Sequence, residues 1–389
     1  MNTRIVLKKD REKSLMRKHQ WIFSGAILSA PDFMDGDILP VYSHDGNFLA
    51  TAYFHRTNSI AGRILSFENE TVQSILSKRI LDSYEMRKQF FDLDTTNAYR
   101  IVNAEGDGLP GLIVDKYADV LVIQINTCGM EKLRPLILET LIKIISPKSI
   151  YEKSISSARR QEGLSDFQGY IWGQEVPEVQ ILENGLIFSV SIEKGQKTGL
   201  FLDQREMRAM ISNHSANKRV LNCFSYTGGF SLFALRGGAL HVDSVDVCPL
   251  ASSYAQKNTL LNGFDLGRHE ILQADAFDFL KTSSLEYDLV ILDPPAFAKK
   301  RADVQSACLG YKEINRRVFE KVPSKSLLFT SSCSYFIDEA LFQNLIFQAA
   351  CEAGRSVKIL SRHQHAFDHP ISLYHPEGDY LKSLFLYID

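Results

Sequence analysis

Residues 221–235, LNCFSYTGGFSLFAL, read as the end of a strand, a tight glycine-containing turn and the start of a helix. Strand-like runs recur around this stretch: RVLNCF (219–224), HVDSVDV (241–247), HEILQADA (269–276), YDLVILD (287–293), SLLFTSS (326–332) and VKILS (357–361). The segments between them carry helical spacing. Strict alternation of strand and helix predicts a parallel sheet covered on both faces, with ligands at the carboxyl ends of its strands.

Working outward, GLIFSVSIEKGQKTGLFLDQR (185–205) reads as a hairpin leading into this region. Upstream, YRIVNAEGDGLPGLIVDKYADVLVIQIN (99–126) holds three strand runs, GMEKLRPLILETLIKII (129–145) has helical spacing and SIYEKS (149–154) is strand-like. A polar helical stretch (72–91) connects this α+β unit to an opening segment of short strands and turns, exemplified by GDILPVYSHDGNFLATAYF (36–54) with its Asp45-Gly46 turn. The expected organisation is therefore 1–71, 72–185 and 186–389.

The 389 residues are 45% hydrophobic and 23% charged, which is enough apolar material for real cores and excludes a disordered chain. Lys+Arg 44 against Asp+Glu 46 leaves no global positive field, so a nucleic-acid surface has to be local. One such surface is the N-terminus, where Arg4, Lys8, Lys9, Arg11, Lys13, Arg17 and Lys18 face only Asp10 and Glu12. The apolar WIFSGAILSA (21–30) behind it lacks a small-x-small cleavage site, and the basic part is too long for a secretory signal. No run of about 18 apolar residues predicts a membrane span. Six scattered cysteines without CxxC spacing fit a reducing, cytoplasmic compartment.

The turn at 224–228 lets backbone approach a nucleoside, and Asp246, 18 residues beyond Gly228, can accept both ribose hydroxyls. Nicotinamide enzymes and S-adenosylmethionine enzymes both use that arrangement. Tyr226 and Thr227 stand where GxGxxG needs small residues, which favours a ligand without pyrophosphate. Asp275, after the third strand, could take an adenine amino group. Asp293-Pro294-Pro295 after the fourth would form a rigid wall for a planar base drawn out of its stack. Cys333, after the fifth, would point to the same edge. Carbon 5 of a pyrimidine is a poor nucleophile until a thiolate adds at carbon 6, and a base must afterwards remove the carbon 5 proton. Four histidines (363, 365, 369 and 375) near the C-terminus could suggest a metal, but no cysteine accompanies them and none is expected.

Read together, REKSLMRKHQWIFSGAI, EGDGLPGL, GQKTGLFLDQR, VLNCFSYTGGF, DPPAF, GYKEIN, SCS and DHPISLYHPEGDYLK resemble, essentially end to end, the bacterial large-subunit ribosomal RNA methyltransferase I family, which makes 5-methylcytosine in 23S rRNA. The resemblance implies a small β-barrel PUA domain for RNA binding, an α+β central domain of two strands, a helix and two strands, and a Rossmann-like methyltransferase domain with a mostly parallel sheet. It implies S-adenosyl-L-methionine as cofactor, contacted by Lys197, Thr198, Phe201, Asp203, Arg205, Asn222, Phe224, Tyr226, Gly228, Asp246, Asp275 and Asp293. It implies Cys333 as nucleophile. A loose likeness of DHPISLYHPE to the terminal motif of 5-methyluridine enzymes suggests Glu377 as base, with Asp293 next in line. Lys8, Lys9, Arg11 and Lys13, with Pro294 and Pro295, are the expected RNA contacts. Large-subunit ribosomal RNA is the expected partner, with a homodimer allowed and no membrane or metal. Many RNA 5-methylcytosine enzymes carry a second cysteine where this chain has Pro295 and Ala296, so the choice between cytosine and uracil stays open. The other readings are an amino-group RNA methyltransferase and a non-catalytic RNA-binding ribosome assembly factor with the same fold.

Overall fold

The computed structural model of the chain describes residues 4–389. Six short strands make the first sheet: β1 (Ile5–Leu7), β2 (Trp21–Phe23), β3 (Ile27–Ser29), β4 (Ile38–Tyr42), β5 (Phe48–Phe54) and β6 (Ile60–Ser66), in the order β2-β6-β5-β4-β1-β3. Strand alternation sends one set of side chains inward, so Ile5, Leu7, Ile22, Val41, Ala52, Phe54 and Ile64 share one buried cluster. Lys8, Lys9, Arg11 and Lys13 lie exposed between β1 and β2.

The helix Val72–Lys88 starts where the Thr71 hydroxyl accepts the Ser74 N–H and ends on Arg87 and Lys88, as the exposed carbonyls of a helix terminus favour. It packs on the second sheet, β7 (Ala98–Asn103), β8 (Leu112–Tyr117), β9 (Val120–Ile125), β10 (Ser149–Ser154) and β11 (Phe167–Gly173), ordered β11-β10-β9-β8-β7. The helix Arg134–Ile145 carries the crossover between parallel β9 and β10. The runs read directly from the sequence end at β10, and β11 corresponds to the second of the two strands that the resemblance implies after the helix.

A two-stranded ribbon follows, β12 (Glu178–Glu183) and β13 (Leu186–Ser191). This corrects the expected hairpin. The strand beginning at Leu186 pairs backward across Asn184-Gly185, whose φ values of +48° and +82° suit a two-residue turn, and residues 192–204 are mostly turns ending in a short 3-10 helix.

The last sheet holds β14 (Arg219–Cys223), β15 (His241–Asp246), β16 (His269–Gln273), β17 (Leu289–Leu292), β18 (Ser326–Ser332), β19 (Val357–His363) and β20 (Lys382–Ile388), in the order β16-β15-β14-β17-β18-β20-β19. Strands β14 to β18 are parallel, as alternation predicted. A second correction concerns the edge, because β20, which the sequence reading missed, inserts antiparallel between β18 and β19. Apolar residues of the helices Ala276–Thr282, Val304–Lys321 and Glu339–Glu352 fill the core on one face. The helices Arg205–Asn213 and Gly229–Arg236 fill it on the other.

Two compact units result. The first takes the chain up to Ile181 with Val190–Leu202 and Phe367–Gly378, and the second takes Leu182–Ser189, Asp203–Ala366 and Asp379–Asp389. The sequence reading placed all of 186–389 together, whereas two short segments join the first unit. Buried polar groups explain this. The Thr198 hydroxyl donates to Asp115 at 2.6 Å, the Arg100 N–H donates to the Asp368 carboxylate at 2.8 Å, and the Asn103 amide donates to the Pro370 carbonyl at 3.0 Å. Among the described residues no helix is long and apolar enough to cross a membrane.

Candidate active site

In the second unit the strand order reverses direction on either side of β14, the place where an open α/β sheet leaves a crevice at its carboxyl edge. Between β14 and the helix Gly229–Arg236 the backbone turns through Phe224, Tyr226 and Gly228 at φ +60°, +46° and +81°. For the two aromatic residues the left-handed conformation costs roughly 1 to 2 kcal/mol each, so it has to be held from outside. Asp246 at the end of β15 does this: one carboxylate oxygen accepts the Tyr226 N–H at 2.8 Å and the other accepts the Cys248 N–H at 2.9 Å. Each oxygen keeps a lone pair for a ligand. At Gly228 a Cβ would stand 3.2 Å from the Ala255 Cβ, in a conformation that disfavours any side chain.

Asn222 is oriented by a buried chain of hydrogen bonds under the same loop. Thr259 donates to the Ala255 carbonyl, so its hydroxyl accepts the His269 Nδ1–H at 2.7 Å, and His269 Nε2 accepts from Ser244 at 2.7 Å. Ser244 in turn accepts from Ser231 at 2.6 Å, and Ser231 accepts the Asn222 Nδ2–H at 2.9 Å. The chain requires a neutral His269, and burial does pull that histidine down to about 4. With its nitrogen committed, Asn222 presents Oδ1, a buried acceptor with no partner. Gln204 is similar: its nitrogen donates to Asp293 at 3.0 Å and its Oε1 is buried and unpartnered. Ser331 donates to the same Asp293 oxygen. Two orphaned acceptors beside an oriented carboxylate ask for a ligand rich in hydroxyl and amino donors.

Cys333 follows β18, next to β17 and the Asp293-Pro294 turn, and its Sγ lies 3.8 Å from the Pro294 carbonyl. The turn that carries it is anchored through Ser334, whose Oγ meets the Tyr311 hydroxyl at 2.9 Å and the Ala298 N–H at 3.1 Å. Pro294 is buried and Pro295 exposed. Phe224, Phe277, Phe297 and Tyr311 form a continuous aromatic cluster beside this edge. Burial pushes the thiols of Cys223, Cys128 and Cys308 up, Cys128 to about 12, which makes them inert small hydrophobes.

The other expected residues fall out as follows. Asp275 is exposed and caps the helix Ala276–Thr282, accepting the Phe277 and Asp278 N–H groups at 2.8 and 3.1 Å. Asp203 is buried and accepts the Tyr380 hydroxyl at 2.6 Å, and Arg205 faces the buried Glu183, which Arg208 also holds. Lys197, Thr198 and Phe201 belong to the first unit, where Lys197 lies over the Phe201 ring and Thr198 is bonded to Asp115. Glu377 also belongs there, accepting from His19 at 3.1 Å and facing His375 at 3.4 Å. Burial raises its carboxyl, but its own backbone amide and the two histidines outweigh that and hold it below the usual carboxylate range. Gln204, Ser331, Tyr380 and Lys382 were not singled out from sequence. The one signal for Lys382 was a lysine opening an apolar strand.

Comparison with known proteins bears on this geometry. The S-adenosylmethionine-dependent methyltransferase family profile matches residues 158–372, and a PUA-like domain profile matches residues 5–67. The chain is 41% identical to the ribosomal RNA large subunit methyltransferase I of Vibrio vulnificus (strain CMCP6), over 98% of both chains. It is equally identical to the protein of the same name from Aeromonas salmonicida, over 99% of both. A crystal structure of a candidate methyltransferase complexed with SAH is similar over 99% of both chains, with 28% identity and a TM-score of 0.85. The adenosyl and amino-acid parts of S-adenosylmethionine offer hydroxyl, amino and ammonium donors, which is what the orphaned acceptors of Gln204 and Asn222 and the carboxylate of Asp246 call for.

Proposed function

For this chain, which belongs to the ribosomal RNA large subunit methyltransferase I family and uses S-adenosylmethionine, we propose methylation of carbon 5 of a cytosine in large-subunit ribosomal RNA through a covalent adduct with Cys333. The observation that carries the reading is the thiol of Cys333, held on an anchored turn beside Asp293-Pro294 at the ligand edge of the sheet. The bound cofactor supplies an electrophilic methyl group. Asp246, Asn222 and Gln204 would hold its adenosyl and amino-acid parts, and the loop at 224–228 would shape the pocket wall.

The chain's own chemistry then has three parts. The sulfur of Cys333 adds to carbon 6 of the base, which makes carbon 5 nucleophilic. After carbon 5 has taken the methyl group, a carboxylate removes the proton from carbon 5, and the electron pair released expels the thiolate from carbon 6. Asp293 is favoured as that base over Glu377 on position: it directly follows β17, beside the strand that leads into Cys333, with Gln204 and Ser331 bonded to one of its oxygens, whereas Glu377 belongs to the first unit and lies with His19 and His375. Lys8, Lys9 and Arg11, exposed on the PUA-like domain, supply phosphate contacts, while Lys13 is paired with Asp10 at 2.9 Å.

The test is in-vitro methylation of ribosomal RNA with mass-spectrometric identification of the product. 5-Methylcytosine formed by the wild type and lost in Cys333→Ala supports the reading. Methylation on an exocyclic nitrogen, or an active Cys333→Ala enzyme, overturns it.

A further inference from the structure

Lys382 is the first residue of β20 and sits in register with Ser332, one residue before the thiol. Its side chain turns into the protein, leaving the residue 7% exposed, and Nζ donates to the Ser334 carbonyl at 2.6 Å and to the Tyr380 carbonyl at 2.9 Å. The ammonium is thus tied to the turn Ser332-Cys333-Ser334 from beneath. Both partners are neutral carbonyls. Among the described residues no carboxylate reaches it within ion-pair distance, so a buried cation stands without a full counter-charge.

The groups around it are few. The titratable groups whose charge acts on it are Cys333 in the turn after β18, Asp379 in the segment before β20 and Asp338 at the start of the helix Glu339–Glu352, and the Cys333 turn is the one its ammonium bonds directly, through the Ser334 carbonyl. A cavity of about 170 Å³ is lined by Lys382 together with Glu339, Arg362 and His363, where Glu339 and Arg362 pair at 3.5 Å. Burial pulls Lys382 down to about 8, and the anion that most opposes this is Cys333, ahead of Asp379 and Asp338. Tyr311, near the same sulfur, is pushed up to about 12 by burial and stays neutral.

We propose that Lys382 is a positioning residue for Cys333: its ammonium, fixed against the turn by the Ser334 and Tyr380 carbonyls, is the counter-charge that keeps the Cys333 sulfur as a thiolate. The proton balance is simple. The S–H bond breaks, the Nζ lone pair takes the proton, and a neutral thiol and amine become a thiolate and an ammonium. The pair readies a nucleophile before any RNA arrives. Its use in catalysis rests on the covalent reading above, but its existence does not.

The experiment is therefore run without RNA. The rate of iodoacetamide modification at Cys333 is followed against pH, quantified on the Cys333 peptide so that the other five cysteines do not interfere. Wild type is compared with Lys382→Met and Lys382→Arg, with SAH binding as the check of folding. The wild-type midpoint is expected well below the ~8.5 of a free thiol. Lys382→Met should raise it by at least about one unit, roughly a tenfold slower reaction at neutral pH, and Lys382→Arg should restore it. A wild-type midpoint at or above about 8.5 overturns the proposal without any variant, and so does an unchanged midpoint in a Lys382→Met protein that binds SAH. An active Cys333→Ala enzyme would instead remove the covalent mechanism and leave the thiol titration standing.

Discussion

Acidification should destabilise the second unit through His269. The histidine is 3% exposed and lies between Ser244 and Thr259 in a chain of hydrogen bonds that only the neutral ring completes. Burial lowers it from 6.5 to about 4, with the charge of Asp243 opposing and that of His241 adding to the shift. Between those two values the unfolded chain binds a proton that the folded chain refuses, so the stability present above pH 6.5 is lost as the pH falls toward 4. Linkage gives a loss of about 2 kcal/mol by about pH 5, and about 3 kcal/mol when the window is complete. Urea denaturation followed by circular dichroism at about pH 7.5 and about pH 5 measures the loss. Other groups titrate in this range too, so the comparison is with His269→Gln. That variant should be weaker at neutral pH by roughly 1 to 3 kcal/mol, because buried partners lose a bond, yet its pH dependence should be shallower than wild type by about 2 kcal/mol. Equal pH dependence in the two proteins, or a His269 that titrates near 6.5 by NMR, would refute the reasoning.

Asp246→Ala should weaken S-adenosylmethionine binding at least about tenfold by calorimetry, since it removes charge-assisted bonds to the ligand and frees the amides of Tyr226 and Cys248. Cys333→Ala should bind the cofactor normally and methylate nothing, and RNA carrying 5-fluorocytosine should trap the wild type covalently because the last proton removal is blocked. Reversing charge at Lys8, Lys9 and Arg11 should flatten the salt dependence of RNA binding by about 0.7 to 0.9 for each phosphate no longer neutralised, with cofactor affinity unchanged. Of the two candidate bases, the true one replaced by its amide should accumulate a methylated enzyme-RNA adduct on denaturing gels. We expect this of Asp293→Asn, and a normal Asp293→Asn enzyme with a stalled Glu377→Gln enzyme would reverse the assignment.

Much of the second unit was legible in the chain itself. Alternation of β-branched runs with helical spacing dictates parallel strands, and short turns after them dictate that Asp246, Asp293 and Cys333 share one edge. Those are local signals, carried by period and turn chemistry. What local signals do not carry is which distant segment satisfies a buried group. The insertion of β20 beside β18 brings Lys382 under the Cys333 turn from 49 residues away, and only pairing of the two strands brings this about. Thr198 is bonded to Asp115, and Glu377 to His19, 358 residues earlier in the chain, partners that no local pattern announces. Ser231, Ser244, His269 and Thr259 are unremarkable as letters and become a chain of hydrogen bonds only when two strands and two helices stack them. Strand and helix periods are properties of neighbours along the chain, so the sequence alone determined the parallel strands and their ligand edge, but not the antiparallel insertion of β20. Hydrogen-bond satisfaction is a property of neighbours in space, so only the tertiary structure decided the partners of each functional side chain.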